Sequence, residues 1–414
     1  MKMILAAVLA LTGPGTPAAA ADPGVGSLAG ASVTIDATDA AGGEPVTGFC
    51  ATAKPSGAGA CTEGSTLTLR DVPAGEATIS VQPVRTSDYL PSAPVTLTLA
   101  DGAAVAVTTP LTLGGRLSAL VLDRATGAGV RLACLVLIEP ASGGLPSEGR
   151  GEYGEYEECT NNNGKLTTYA RPAGTYQLFV FGPERLFLPE DQYGHQWVGA
   201  EGGTGDQRRA VKLKIRPGRT TQAPTVLMDK PGTIVGQVTD ASGEHAGSAI
   251  TFNAWPIFSR SWNGAAYPGD GTYSFTHLGP YEWPIMARPT EGPDGAKFPR
   301  QWSGGTGNRY QAETVAVRSG ETSRLDLTLQ PFAAIAGTIT APEGGTLIAA
   351  NASTGDELGY VRFTGSGPYR LPLVGGQRVT LRWVLNSGRG GVWADGEQVP
   401  VPKGGTRALD LTVG

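Results

Sequence analysis

The side chains in this 414-residue sequence that could do chemistry are few and scattered. Histidine occurs three times, as His195, His245 and His277, in segments with no shared pattern, and no Gly-x-Ser-x-Gly elbow is present. A Ser-His-acid set needs three groups within hydrogen-bond reach, and glycoside hydrolysis needs two facing carboxylates. Neither constellation can be assembled from these spacings, so the sequence predicts a protein that is not an enzyme and carries no cofactor. His195, beside Gln196-Trp197, has the most interesting neighbours; a histidine in such a loop is expected to be exposed. The four cysteines are Cys50, Cys61, Cys134 and Cys159. Zinc would require a close Cys pair with histidines nearby, so no metal site is expected. The acidic run Glu148, Glu152, Glu155, Glu157 and Glu158 offers oxygens for calcium, but its spacing follows no known loop pattern. Gly and Tyr between the carboxylates suit a solvated hairpin, the reading preferred here.

Aromatic side chains carry the rest of the chemical signal. Sugars are bound by stacking on flat rings with polar groups at the edges. Trp255-Pro-Ile-Phe-Ser-Arg-Ser-Trp262 with Tyr267 forms a turn-rich insert, and Trp255, Trp262 and Tyr267 are the candidate ligand-binding residues. Trp197 and Trp302 instead recur 105 positions apart within one phrase, Gln196-Trp197-Val198-Gly199 and Gln301-Trp302-Ser303-Gly304, each followed by a Gly-rich run. A tryptophan that returns with a repeat reads as a core plug.

That period is the length of one small β-domain, so the chain reads as a tandem array. The 61 glycines and 31 prolines, with 40% hydrophobic residues, favour many short strands over disorder. Ser32 to Ile35, Ala77 to Val81 and Val95 to Leu99 alternate apolar with polar, the signature of a sheet with one wet face. Residues 1–21 read as a secretory signal peptide: Met1-Lys2-Met3, an apolar stretch too short to span a bilayer, and Ala19-Ala20-Ala21. β-sandwiches are then expected over 26–113, 114–229, 230–331 and 332–414. Linkers of two to four residues near 113, 229 and 331 imply a semi-rigid rod. With one core per unit, a cut near residue 230 is expected to leave two independently folded halves.

The phrases Gly232-Thr-Ile-Val-Gly236-Gln-Val-Thr-Asp240, Gly271-Thr-Tyr273-Ser-Phe275, Pro172-Ala173-Gly174-Thr175-Tyr176 and Gln-Trp-x-Gly resemble the carboxypeptidase regulatory-like repeats. The likeness covers the second and third units well, the fourth moderately and the first weakly. The first has no Trp, and the fourth compresses the phrase to Val392-Trp393-Ala-Asp-Gly396. The resemblance implies an all-β fold of four small prealbumin-like (Ig-like) antiparallel β-sandwiches without catalytic residues. Such domains serve as spacers or binders, and their fold is grouped with carbohydrate-binding-like domains. Some adhesin relatives cross-link Lys to Asn, but the first and fourth units hold one lysine each, Lys54 and Lys403, and neither opens a first strand.

The function expected is therefore an extracellular, secreted binding or spacer protein, monomeric, whose partner is a polysaccharide or a cell-surface protein. The alternative is a starch-binding-like accessory of polysaccharide degradation. A formal charge of −5 without basic blocks argues against nucleic acid as a partner, and no later segment is long and apolar enough for a transmembrane helix. Cysteines at matched places in two units of an exported chain predict intradomain bridges, Cys50 to Cys61 and Cys134 to Cys159. Non-reducing peptide mapping should recover those two linked pairs; free thiols or a bridge between units would contradict the assignment.

Overall fold

The computed structural model describes residues 30–138, 158–182, 192–252, 264–266 (backbone), 270–289 and 298–414. The signal-peptide reading of 1–21, the insert from Glu148 to Glu157, and Trp255, Trp262 and Tyr267 lie outside the described residues. The chain is all-β, a tandem series of sandwiches, and it groups into two compact units: residues 30–84 with 91–112, and 85–90 with 113–414.

Four successive stretches each contribute a pair of sheets built on one plan. In the first, Ala31–Asp39 lies between Thr66–Val72, antiparallel, and Ala104–Leu111, parallel. Its second sheet runs in the order Ala58–Thr62, Phe49–Lys54, Gly75–Pro83, Val95–Leu99. The opening strands Arg116–Asp123, Gly232–Asp240 and Ala333–Thr340 repeat the pattern, each with an antiparallel partner on one side and the closing strand of its own stretch running parallel on the other. The sandwiches are thus mixed rather than purely antiparallel. First and last strands of a unit run the same way because the chain crosses from one sheet to the other between them. In every unit a glycine at positive φ turns the chain into the closing strand: Gly102, Gly218, Gly320 and Gly405.

From the second stretch onward the closing strand is broken in two, as in Thr322–Arg324 and Leu327–Leu329. In the third and fourth stretches the motif Gly-x-Tyr holds that break. Tyr273 Oη donates to the carbonyl of Leu325 at 2.6 Å, and Tyr369 Oη to that of Leu409 at 2.8 Å. Across the ladder these tyrosines face Gly236 and Gly337. A Cβ on either glycine would run into the same two carbonyls, so the first strand is glycine where the closing strand breaks.

Both disulfides join directly opposed residues of a hairpin: Cys50 with Cys61, between Phe49–Lys54 and Ala58–Thr62, and Cys134 with Cys159, between Cys134–Ile138 and Glu158–Cys159. They occupy the same edge of the second sheet in both stretches.

One self-contained core per unit is not what the second and third stretches show. Gly174–Phe181 is buried on both faces from Tyr176 onward. Tyr176, Leu178 and Val180 face the core of their own sandwich, whereas Phe179 and Phe181 join a cluster that continues through Phe252, Trp283 and Met286 to Ile335 and Leu347 of the fourth. A cut near residue 230, expected to leave two independently folded halves, would open this shared apolar interface.

Replacing Tyr369 by Phe should lower unfolding free energy by about 1 kcal/mol, because a hydrogen bond to a strand-break carbonyl is lost. Gly337→Ala should cost more, roughly 1 to 3 kcal/mol, by forcing backbone away from the new methyl group. Denaturant titration reads both; a neutral Gly337→Ala would show that the close approach is not needed.

Candidate functional site

The Gln-Trp phrase and its Gly-rich run build the joints between successive sandwiches. Trp197 and Trp302 are 5% and 1% exposed. Each preceding glutamine grips the end of its own sandwich, Gln196 at the closing strand Val226–Met228 and Gln301 at the residue after Leu327–Leu329. Gln196 Nε2 donates to the Leu227 carbonyl at 3.1 Å. Gln301 Nε2 donates to the Gln330 carbonyl at 3.2 Å, while the Gln330 amide donates back to Gln301 Oε1 at 2.8 Å. The Gln301 side-chain amide thereby acts as an extra strand residue against Gln330.

Downstream, Thr204-Gly205-Asp206 returns as Thr306-Gly307-Asn308. Asp206 and Asn308 each cap a single helical turn by accepting from the amide two residues on, both at 2.9 Å. The glycine before each cap lies against the next sandwich, Gly205 on Glu282 and Trp283, Gly307 on Gln377. A Cβ on Gly205 would meet the Glu282 backbone and push the two sandwiches apart, whereas one on Gly307 would displace the Gln377 side chain.

The joint between the second and third sandwiches is aromatic. Phe179 stacks on Phe252 with centroids 5.5 Å apart, and Trp197 meets Phe179 edge-on at 5.0 Å. The main chain also crosses: the His195 amide donates to the His277 carbonyl at 2.8 Å, and the Gly279 amide donates to the His195 carbonyl at 3.0 Å. His195 is therefore buried rather than exposed as its loop context suggested. Its ring lies 5.8 Å from that of His277, nearly parallel, and its Nδ1 accepts from the Gly182 amide at 3.1 Å. Tyr281 Oη sits 2.7 Å from Gln196 Oε1 and 3.0 Å from Asp229 Oδ2, and Asp229 also accepts from Arg124 Nε at 2.8 Å. Burial, first, and then Asp229 raise the Tyr281 phenol above its usual range, so it stays a neutral donor.

The next joint is ionic. Arg309, on the turn capped by Asn308, reaches Asp356 of the fourth sandwich at 3.2 Å, and Asp356 is fully buried. Arg300 pairs with Glu357 beside it. Asn351 Nδ2 donates to the Gly307 carbonyl at 3.1 Å and to Gln377 Oε1 at 2.9 Å. Burial pushes the Asp356 carboxyl up to about 6, with Arg309 pulling the other way. Neither carboxylate oxygen receives a hydrogen bond of good geometry, so desolvation is left partly unanswered.

Between the second and third sandwiches the surface opens into a cleft of about 660 Å³. Its walls are the 203–209 turn on one side and the paired strands Glu282–Pro284 and Thr314–Ala316 on the other, with Arg309 and Tyr310 also lining it. Glu158, at the end of the acidic run, is not a solvated carboxylate. It is buried, it accepts from the Tyr169 amide, and it pairs with Arg171 at 3.1 Å. Burial raises its pKa against the pull of Arg171. Among the described residues no group of three or more His, Cys, Asp or Glu is placed to hold a metal ion, and no described helix is long and apolar enough to cross a membrane.

Sequence reasoning singled out Gln196, Trp197, Gln301 and Trp302 but not their partners Tyr281, Asp229, Arg309 and Asp356. Those partners sit in other repeats, and nothing local marks them. One signal was present: Tyr176-Gln-Leu-Phe-Val-Phe181 is a near-continuous apolar run where Ala77 to Val81 alternates, the mark of a strand covered on both sides.

No protein-family model and no curated protein matches the chain. Among solved structures it is similar to the Bacillus anthracis TIE protein, at 13% identity over 88% of this chain and 68% of that one, TM-score 0.20. It is similar also to a streptococcal ancillary pilin, at 9% identity over 72% and 99% of the two chains, TM-score 0.22. The major pilin subunit of Bacillus cereus is a third, at 10% identity over 73% and 99%, TM-score 0.18. At these scores the likeness assigns neither fold nor function, and the fold rests on the sheets themselves.

The folded-state pKa of Asp356 lies above its unfolded value, so its contribution to stability is present below about pH 4 and is lost as pH rises through about 6. Thermal melts of wild type and Asp356→Asn across that window should show the variant gaining on wild type as pH rises. Parallel melting curves at every pH would mean that Asp356 does not titrate there.

Proposed function

We propose that this chain is an extracellular, non-catalytic spacer that holds a binding surface at a fixed distance, built from four sandwiches with boundaries near residues 113, 229 and 331. Carboxypeptidase regulatory-like repeats, which its sequence resembles, are used in this way. The observation that carries the reading is the main-chain crossing at the second joint, where His195 bonds to His277 and Gly279 of the following sandwich. Flexible tethers do not share backbone hydrogen bonds, whereas a spacer that must keep its length does. Two disulfides with no free cysteine among the described residues suit an oxidising compartment. The partner in this reading is a polysaccharide or a cell-surface protein, met by a monomer.

The second reading, a starch-binding-like accessory, stands on the rings of Trp255, Trp262 and Tyr267 alone. Retention on insoluble starch or chitin that is abolished by Trp255→Ala with Trp262→Ala, at unchanged melting temperature, would favour it over the spacer.

For the spacer, hydrogen exchange of the full chain is the direct test. The amides of His195 and Gly279 should be protected to the level of the strands around them. Exchange at loop rates would make the joint a hinge and overturn the reading.

A further inference from the structure

The face that the second and third sandwiches turn toward their successors can be followed by register. Phe179 pairs with Val136 on one side and Trp197 on the other, and Met286 pairs with Thr251 and Trp302 in the same way. In both sandwiches the row is buried, with Phe179, Trp197, Thr251, Met286 and Trp302 all 5% exposed or less. The corresponding row of the fourth sandwich runs Tyr360, Ile348, Arg382, Val392. There it is open.

On the strand Arg378–Leu385, Val379, Leu381 and Leu385 are buried in the core, so Thr380, Arg382 and Val384 point outward. Val384 and Val392, at 40% and 47%, are the exposed large hydrophobics among the described residues, and both lie on this face. Ile348, opposite Arg382, is half-buried. Arg300 of the third sandwich lies 5.3 Å from the centroid of the Tyr360 ring and bounds the face on that side.

Charge changes sign along the strands. At one end Arg389 precedes the strand Gly390–Val392, and Arg362 lies in one row with Thr346 and Val384. At the other end Asp395 and Glu397 follow Val392, while Arg378 is taken up by Gln398 at 3.0 Å. Arg362, Arg389, Asp395 and Glu397 are all exposed. A face that is basic at one end, acidic at the other and apolar between them complements itself when a second copy lies on it with its strands reversed.

We propose that this face pairs two copies of the chain, fourth sandwich on fourth sandwich about a twofold axis. Ile348, Val384 and Val392 form the centre, and Arg362 and Arg389 of each copy meet Asp395 and Glu397 of the other. Arg382 stands where the earlier sandwiches have Phe179 and Met286. A guanidinium at that place lets the open face stay in water, so the contact is reversible, whereas permanent interfaces are more apolar. The dilute chain is then the monomer of the spacer reading, and pairing sets two spacers side by side where copies crowd. The proposal goes beyond that reading and does not depend on it.

Sedimentation equilibrium of the full chain from about 1 μM to about 1 mM, the range in which weak pairs form, tests it. Average mass should rise with concentration from one chain toward two and stop there. Val384→Glu with Val392→Glu should hold the chain at one, and an unchanged melting temperature would certify its fold, since both side chains are exposed. Arg389→Glu and Glu397→Arg should each weaken pairing about tenfold or more, and both changes in one chain should restore it to within about threefold. Rescue of that kind separates self-pairing from nonspecific loss. A single-chain mass at the highest concentration, growth beyond two, pairing that survives Val384→Glu with Val392→Glu, or failure of the combined reversal to rescue would each overturn the proposal.

Discussion

From Tyr176 to Phe181 the strand has no face left for water, and that constraint fixes how the second and third sandwiches are related. A strand of an isolated sandwich turns alternate residues to solvent. Here Phe179 and Phe181 are apolar where the isolated sandwich would need polar side chains; Phe252 and Trp283 of the next sandwich meet Phe179, Phe275 backs Phe252, and all join one buried cluster. Truncating one such buried ring costs about 3 to 5 kcal/mol, a large share of the 5 to 15 kcal/mol that keeps a domain folded. Separating the sandwiches would expose several rings at once.

The repeated phrase then has a physical meaning. Its tryptophan fills the core, its glutamine fastens the end of its own sandwich, and a glycine in the run that follows lets the next sandwich approach closely. The same device meets two different surfaces. At the second joint it closes on aromatic rings, which bury without a desolvation penalty. At the third it closes on Arg309 and Asp356, where desolvation competes with charge pairing and leaves the joint sensitive to pH. An array built from one motif can therefore be stiffer at one joint than at the next.

Most of the strand order was legible in the sequence, because period-two alternation and Gly-led turns are local signals. Gly232 to Asp240 was read with its observed limits. The last strand of the first sandwich, Ala104–Leu111, was not, since Ala-Val-Ala-Val-Thr-Thr-Pro-Leu lacks the bulky alternation that marks its neighbours. Parallel pairing of first and last strands could not be read, because it depends on a crossover made far away in sequence. His195 was misjudged for a related reason: its burial is supplied by Phe252 and His277, residues of the next repeat. The Arg309 to Asp356 pair was hidden in the same way, each member being an ordinary surface type until the joint closes over it. Local chemistry thus revealed the modules, and the contacts between modules were the part that only the fold could show.

Scanning calorimetry of the full chain tests the central claim, that residues 113–414 form one cooperative body through shared joints. Cooperative melting is recognised by agreement between the calorimetric and van't Hoff enthalpies. The account predicts one transition for the three later sandwiches, separable at most from that of residues 30–84 and 91–112. Separate melting of the second and third sandwiches, each with its own two-state enthalpy, would contradict it.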